Sequence, residues 1–268
     1  FDSFATMSQK DMRAAFQKAP KDLTITIFGN KYLVNKLIIS DISIFIFNLI
    51  HNDANLKEIS LDSYFKSTLA EEKSSGTSTE SLTLFGETLT KIFDVINGYR
   101  RKFDIRKEQK FLAKISRILC ITLPSHLVVN QRREYDSQSF SGNIVEIELS
   151  SFSLFDFFMK SAKTFSLKFN DKEVQVNSII LTLSDVIYEE FEKKPDLKTY
   201  TFDLDDKQDE LLPIIDFLSI NSMILTTNNI DIILNAAETM KIQPIIDLAN
   251  FLKKKFDESQ TIYDNEED

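Results

Sequence analysis

Residues 23–38, LTITIFGNKYLVNKLI, and residues 165–180, FSLKFNDKEVQVNSII, fall into register when the sequence is slid on itself by 142 positions. Leu23, Ile25, Ile27, Val34, Asn35, Leu37 and Ile38 then lie over Phe165, Leu167, Phe169, Val176, Asn177, Ile179 and Ile180. Apolar character agrees at almost every position, and the Val-Asn pair is identical. Each stretch begins with apolar residues at period two, passes a polar segment (Gly29-Asn30-Lys31 and Asn170-Asp171-Lys172) and resumes an apolar run, the pattern of a β-hairpin. Self-similarity at a fixed offset marks a repeated structural unit, so the flanking segments are read in pairs.

After the first hairpin, Ile42, Phe45, Ile46, Leu49 and Ile50 recur at i, i+3, i+4, i+7 and i+8 behind Ser40 and Asp41, which predicts a helix starting there with one buried face. Its counterpart runs from Ser184 and Asp185 through Val186, Ile187 and Phe191 and stops before Pro195. Ile59 and Leu61, and in the second copy Tyr200, Phe202 and Leu204, predict a third strand. The offset then becomes 122, because the first copy carries about 20 extra residues. Leu89, Ile92, Phe93 and Ile96 fall over Leu211, Ile214, Ile215 and Leu218, giving matching amphipathic helices. With no further gap, Phe103 lies on Leu225, Phe111 on Ile233, Ile115 on Ala237, Ile118 on Met240 and Cys120 on Ile242. Asp104 and Thr226 hold the N-cap slot, and Pro124 and Pro244 stand near the start of a last helix.

The result is a β-β-α-β-α-α-α unit of about 95 residues occurring twice, an α+β fold in which each small three-stranded sheet packs with a helical cluster. The boundaries it sets are a helical N-terminal segment over 1–20, a first unit over 21–127, a structured linker over 128–162, a second unit over 163–256 and an acidic tail over 257–268. The polar run within 66–83 predicts a disordered surface insert, in which Ser74, Ser75, Thr77, Ser78 and Thr79 could accept phosphate, a flexible insert being the simpler expectation.

Over about 200 of the 268 residues this pattern resembles the BTB/POZ family. Residues 165–180 look like that family's opening hairpin, with Asn177 and Asn35 where a His is usual. Ser184-Asp185-Val186-Ile187 is similar to the start of its second helix, and Ile214-Ile215-Asp216-Phe217-Leu218 to its Leu/Phe-rich third helix. Residues 232–242, IILNAAETMKI, resemble its L-x-x-A-x-x-(L/M)-x-(I/V) helix. The family's Tyr-x-Gly after the third helix is missing, replaced by Ser219-Ile220-Asn221-Ser222 in one copy and Asn97-Gly98-Tyr99 in the other. The resemblance implies tandem BTB/POZ-like units acting as a protein-binding adaptor or scaffold. It also implies self-association as a homo-oligomer, or intramolecular pairing of the two units, and partners such as the cullin-type scaffolds of ubiquitin ligases.

Composition narrows the alternatives. The chain is 43% hydrophobic and 27% charged with a net charge of −9, which predicts a soluble globular protein. Cys120 is the single cysteine, so no disulfide framework forms, and a reducing intracellular location, cytoplasmic or nuclear, is expected. Cys120, His51 and His126 are too few and too scattered for a structural zinc site, so no metal is expected. Neither G-x-G-x-x-G nor G-x-x-x-x-G-K-[ST] occurs, so no nucleotide cofactor is expected. The N-terminus holds no signal-peptide core, and a chain opening on Phe1 reads as a piece of a longer protein. The most apolar stretch, 37–50, is 14 residues interrupted by polar ones, whereas a span needs about 18, so no membrane segment is expected.

No catalytic constellation assembles, so the chain is read as a non-enzyme. Cys120 aligns with Ile242 and is expected in an apolar core slot. His51 and His126 are expected in structural roles. The pairs Asp205/Asp206 and Glu189/Glu190 lie in charge-dense segments and are expected on solvated faces. Phe152, Phe155, Phe157 and Phe158 are expected as core of the linker element.

Positive charge is the one distinctive feature. Between 100 and 133 stand ten basic residues (Arg100, Arg101, Lys102, Arg106, Lys107, Lys110, Lys114, Arg117, Arg132 and Arg133) against Asp104 and Glu108, a local charge of +8. Arg100, Arg101, Lys102, Arg106 and Lys107 are the candidate partner-binding residues. Such a stripe could hold nucleic-acid phosphates, making the chain a nucleic-acid-associated regulator. Phe103 and Phe111, however, align with Leu225 and Ile233 and so are core rather than base-stacking residues. Acid is concentrated elsewhere: residues 185–210 carry ten Asp or Glu against four Lys, and residues 257–268 carry six with no base. Contact with the second copy, a sister chain or an acidic protein is the favoured use of the stripe, with nucleic acid disfavoured.

Overall fold

The computed structural model describes the whole chain except residues 1, 54, 67–69, 71–78, 122–143, 150, 207 and 265–268. It is an α+β arrangement of small sheets packed with helices. The chain divides into two compact units, one of residues 21–153 and one combining residues 1–20 with 154–268. The segment 1–20 contributes β1 (Asp2–Ala5) and α1 (Gln9–Lys18) to the second of these.

In the unit of residues 21–153, β2 (Leu23–Ile27) and β3 (Asn30–Val34) form an antiparallel hairpin closed by Ile27 opposite Asn30. Alternation places Leu23, Ile25 and Ile27 in the core and Thr24 and Thr26 toward the other face. The turn is Phe28-Gly29, both at positive φ (49° and 81°), the two-residue geometry whose twist suits a hairpin. Asn30 and Lys31, read from sequence as turn residues, therefore belong to β3. Asn35 ends the strand and accepts the backbone N–H groups of Leu37 (3.0 Å) and Ile38 (3.1 Å), capping α2 (Lys36–Ile42). The expected helix start at Ser40 and Asp41 is inside that helix. The break comes at Ser43, whose extended backbone and hydroxyl cap α3 (Ile44–Asn52). β4 (Glu58–Ser60) then runs parallel to β2, Ile59 beside Ile25, for a strand order β3-β2-β4.

α4 (Thr79–Ile96) buries Leu89, Ile92, Phe93 and Ile96 as its period predicts. Most of the expected insert lies outside the described residues, including Ser74, Ser75, Thr77 and Ser78, and helix already begins at Thr79. β5 (Arg101–Asp104) leads without a loop into α5 (Ile105–Leu119), because the Asp104 carboxylate accepts the Arg106 N–H at 3.1 Å. β6 (Ile144–Ile147) pairs antiparallel with β5. α6 (Ser151–Lys160) follows and crosses the boundary between the units.

In the other unit, β7 (Phe165–Lys168) and β8 (Glu173–Val176) form an antiparallel hairpin, and β9 (Thr199–Thr201) lies parallel to β7, for the order β8-β7-β9. Asn177 accepts the N–H groups of Ile179 (2.8 Å) and Ile180 (3.3 Å) at the head of a 3₁₀ turn over Ile180–Leu183. Ser184 caps α7 (Asp185–Lys193). α8 (Leu212–Ile220) precedes β10 (Met223–Thr226), which pairs antiparallel with β1, and α9 (Ile230–Met240) and α10 (Gln243–Asp264) complete the unit. α1 is anchored through Phe16, which meets Phe157 and Phe158 edge-on at 4.9 and 5.5 Å.

A buried serine ties early to late elements in each unit. The Ser43 hydroxyl donates to the Leu119 carbonyl, and Ser43 bridges Ile121. The Ser184 hydroxyl donates to the Met240 carbonyl at 2.5 Å, and Ser184 bridges Ile242. These ties set Ile121, not Cys120, opposite Ile242, so the sequence register is one residue out at this point. The reason is local. The path from the end of β5 at Asp104 to the helix cap at Cys120 is one residue longer than that from the end of β10 at Thr226 to the cap at Lys241.

Candidate functional site

The basic segment divides into two structurally different halves. Just before β5, Arg100 Nε meets Glu148 at 2.6 Å with Glu146 at 3.8 Å, and at its first residue Arg101 Nε meets Asp94 at 2.6 Å while its guanidinium lies 5.4 Å from the Tyr99 ring. Lys102 is exposed and sits directly across the ladder from Glu146. The charge of Arg100 and Arg101 is thus already answered by carboxylates of the same unit.

The second half is α5. Its inward face buries Phe111, Leu112, Ile115 and Leu119 together with a carboxylate, Glu108. Glu108 accepts from Lys91 Nζ at 3.0 Å, from the Thr88 hydroxyl at 3.0 Å and from the Asp104 backbone N–H at 2.7 Å. A buried charge is tolerable when paired and bonded in this way. The outward face carries Arg106, Lys107, Lys110 and Arg117, all exposed, with Lys114 half-buried beside them. Lys107 lies 3.7 Å from Asp104, and Lys110 donates to the Ser81 hydroxyl at 3.4 Å. Arg106 and Lys107 therefore share a surface with Lys110 and Arg117. Arg101 and Lys102 belong to the strand that precedes it, and Arg100 stands just before that strand. Phe103 and Phe111 are buried, as core residues are. Arg132 and Arg133 lie outside the described residues.

A cleft of about 330 Å³ lies between β3 and α4, bounded by Asn30, Lys31, Tyr32, Thr90, Asp94 and Asn97. Tyr32 stacks on Phe93 at 4.3 Å, and burial pushes its phenol up despite the opposing hydrogen bond with Thr90. Lys21 donates to Asn97 Oδ1 at 2.9 Å, while Asn97 Nδ2 donates to the Leu33 carbonyl at 3.1 Å. Burial pulls the Lys21 ammonium down to about 8, against the nearby Asp22 carboxylate. Asn97 is thus engaged at both ends in holding the helix terminus to the hairpin.

Two expectations are corrected. Cys120 is not a core residue: it is exposed, at the left-handed C-cap of α5 (φ 47°, ψ 45°), and the next residue, Ile121, takes the buried slot by bridging Ser43. Asp206 is not on a solvated face. It is buried, ion-paired with Lys172, and accepts the Leu211 N–H at 2.8 Å, while its own N–H donates to Asp171 at 3.0 Å. Burial works against the Lys172 charge, but hydrogen bonds to Asp206 and Asp209 outweigh it and raise its pKa. Asp205 and Glu189 are exposed, and Glu190 pairs with Lys193 at 2.7 Å. His51 is exposed beside Phe47, and His126 lies outside the described residues. In α6, Phe157 and Phe158 are buried and Phe155 is 37% exposed, while the side chain of Phe152 lies outside the described set.

The Glu108–Lys91–Thr88 network and the Tyr32 cleft were not read from the sequence. Glu108 stands four residues behind the Asp104 cap, one beyond the capping-box spacing, so that pattern did not flag the first. The cleft joins segments some 60 residues apart, which no local pattern reports. Among the described residues, no group of three His, Cys, Asp or Glu side chains could hold a metal ion, and no helix is long and apolar enough to cross a membrane. Comparison with protein-family models and with curated proteins finds no match for this chain.

Proposed function

We propose that the chain is a non-enzymatic protein-interaction module, an adaptor or scaffold built from two BTB/POZ-like units in tandem. The support is positional. Each unit has a hairpin with a third strand parallel to its first strand, an Asn side chain capping the segment after the hairpin, and a buried Ser tied to the end of a later helix.

The observation that carries the proposal is a reciprocal completion. β1 precedes the first hairpin in sequence yet pairs with β10 of the second unit, and β6 precedes the second hairpin yet pairs with β5 of the first. An open strand edge is a template for another chain. Here the partner strands for β5 and β10 come from the same compact unit as the strand they cover, which disfavours a homodimer formed through these strands. A cullin-type scaffold is one partner class that this reading implies.

The test is capture from the source cell with and without nuclease, followed by binary reconstitution with each recovered protein and with a purified cullin N-terminal domain. Nuclease-resistant, reconstitutable protein partners support the reading. Recovery of nuclease-sensitive complexes alone would overturn it in favour of a nucleic-acid-associated regulator.

A further inference from the structure

We infer that the open edge of β3 is a docking site for an extended segment of a protein partner, added to the sheet as a fourth strand. The inference rests on the interaction role proposed above and adds the surface and the sequence pattern it accepts. In the order β3-β2-β4 the outer side of β3 is a sheet edge. Ile27 and Asn30 close a two-residue turn with both φ positive, so the pairs Ile27–Asn30, Ile25–Tyr32 and Leu23–Val34 exchange backbone hydrogen bonds. Thr24 and Thr26 turn theirs the other way, the Thr24 N–H donating to the Lys57 carbonyl and the Thr26 carbonyl accepting from the Leu61 N–H, both at 2.9 Å. By the same alternation Lys31 and Leu33 aim their backbone groups outward from the sheet.

Three observations make this edge a site. Asn97 Nδ2 donates to the outward Leu33 carbonyl at 3.1 Å, standing where the N–H of an added strand would stand. Among the described residues the Lys31 N–H, the Lys31 carbonyl and the Leu33 N–H make no hydrogen bond. Finally, the cleft of about 330 Å³ runs along these groups. Four consecutive residues, 30–33, form one wall, and Thr90, Asp94 and Asn97, spaced along one face at the end of α4, form the other. A line of alternating donors and acceptors beside such a trough is matched by another peptide main chain.

Charge complementarity selects the partner. Lys31 is exposed and makes no ion pair among the described residues, and Leu33, on the same face of the strand, is 54% exposed. A lysine on an open edge guards against indiscriminate pairing, so the strand that is accepted brings a carboxylate opposite it. An antiparallel segment that sets an acid opposite Lys31 sets the residue two positions earlier opposite Leu33, where an apolar side chain suits. The residue between them lies on the Tyr32 side, where Thr90 and Asp94 suit a small polar side chain. The accepted pattern is apolar, small polar, acidic. On the matching edge of the other unit, Glu173 of β8 already pairs with Lys168 at 3.4 Å, so its charge is answered within the sheet.

The experiment is fluorescence anisotropy on the full chain with a labelled, end-capped peptide reading Thr-Leu-Thr-Glu-Thr. Two companions carry Lys in place of Glu, or a methyl group on the Glu nitrogen. We expect the Glu peptide to bind wild type, to lose about fivefold or more in affinity for Lys31→Glu, and to be replaced there by the Lys peptide as the tighter ligand. Methylating the Glu nitrogen should weaken binding about tenfold, because that N–H donates to the Lys31 carbonyl. Amide hydrogen exchange at Lys31 and Leu33 should slow in the complex. A Lys31→Gln variant, with its circular dichroism and melting compared with wild type, should bind both charged peptides alike and keeps the test valid if charge reversal disturbs folding. No binding of the Glu peptide to wild type, indifference to methylation, or protection that falls outside β3 overturns the inference. So does Lys31-dependent self-association of the wild type, which would make a second copy the occupant. Protein partners captured equally by wild type and Lys31→Glu would remove this edge while leaving the interaction role standing. Peptide binding at β3 beside nuclease-sensitive capture alone would do the reverse.

Discussion

Asn35 and Asn177 show how a single side chain fixes a change of direction. Each follows the last residue of a hairpin and supplies one oxygen to two backbone N–H groups that would otherwise be buried without partners. Asn177 is fully buried, so Asn177→Ala should cost about 1 to 2 kcal/mol, read from the denaturation midpoint; an unchanged midpoint would contradict this role. Cys120 makes the opposite point. A left-handed C-cap favours glycine, so Cys120→Gly should stabilise the chain by up to about 1 kcal/mol, and the wild-type thiol should react with an aqueous disulfide reagent without unfolding. Lys21 adds a pH dependence. Its folded pKa, about 8, lies below the ordinary 10.5, so the unfolded chain binds more protons between those values and this residue's contribution to stability rises with pH across that window. The stability of Lys21→Met relative to wild type should accordingly be most favourable below pH 8 and decline toward pH 10.5. A pH-independent difference would show that the ammonium is not desolvated.

At the scale of an element, α5 is organised by its buried acid. Glu108 accepts the N–H of the capping residue while pairing with Lys91, so it fastens the helix start to α4 and to the end of β5 at once. Glu108→Ala leaves the Asp104 N–H and the Thr88 hydroxyl without that acceptor and the ammonium unpaired. The expected loss is about 2 to 3 kcal/mol by chemical denaturation, with a smaller loss for Glu108→Gln. Equal losses for the two substitutions would assign the whole effect to the lost charge, and an unchanged Glu108→Gln would assign it to volume and hydrogen-bonding capacity. α2 and α3 show a different control, in which Ser43 interrupts what the apolar spacing presents as one helix. Its hydroxyl both caps α3 and donates to Leu119, and the bridge to Ile121 needs extended backbone at that residue. Tertiary hydrogen bonding thus overrides the helical period.

For the whole molecule, the decisive contacts are distant in sequence. The Met7 N–H donates to Asn221 Oδ1 at 2.8 Å across 214 residues, just where β1 meets β10. Removing residues 1–20 should therefore destabilise the unit of residues 154–268, by taking away β1 and the Phe16 packing on Phe157 and Phe158. Hydrogen exchange should show lost protection in β10 and α6 while β2 and β3 retain theirs. Greater loss in β2 and β3 would contradict the division into units.

Hairpins, apolar faces and the inward alternation of Leu23, Ile25, Phe165 and Leu167 were determined by the sequence alone, because strand and helix periods are local properties that side chains impose on their own backbone. The burial of Phe103 and Phe111 was read from their alignment with Leu225 and Ile233. Only the tertiary structure decided that the N-terminal strand completes the later unit, that Asp206 and Glu108 are buried with cationic partners, and that Cys120 faces solvent. Pairing between strands more than 200 residues apart leaves no trace in local periodicity, and a one-residue difference between strand end and helix cap cannot be seen until a hydrogen bond fixes the register.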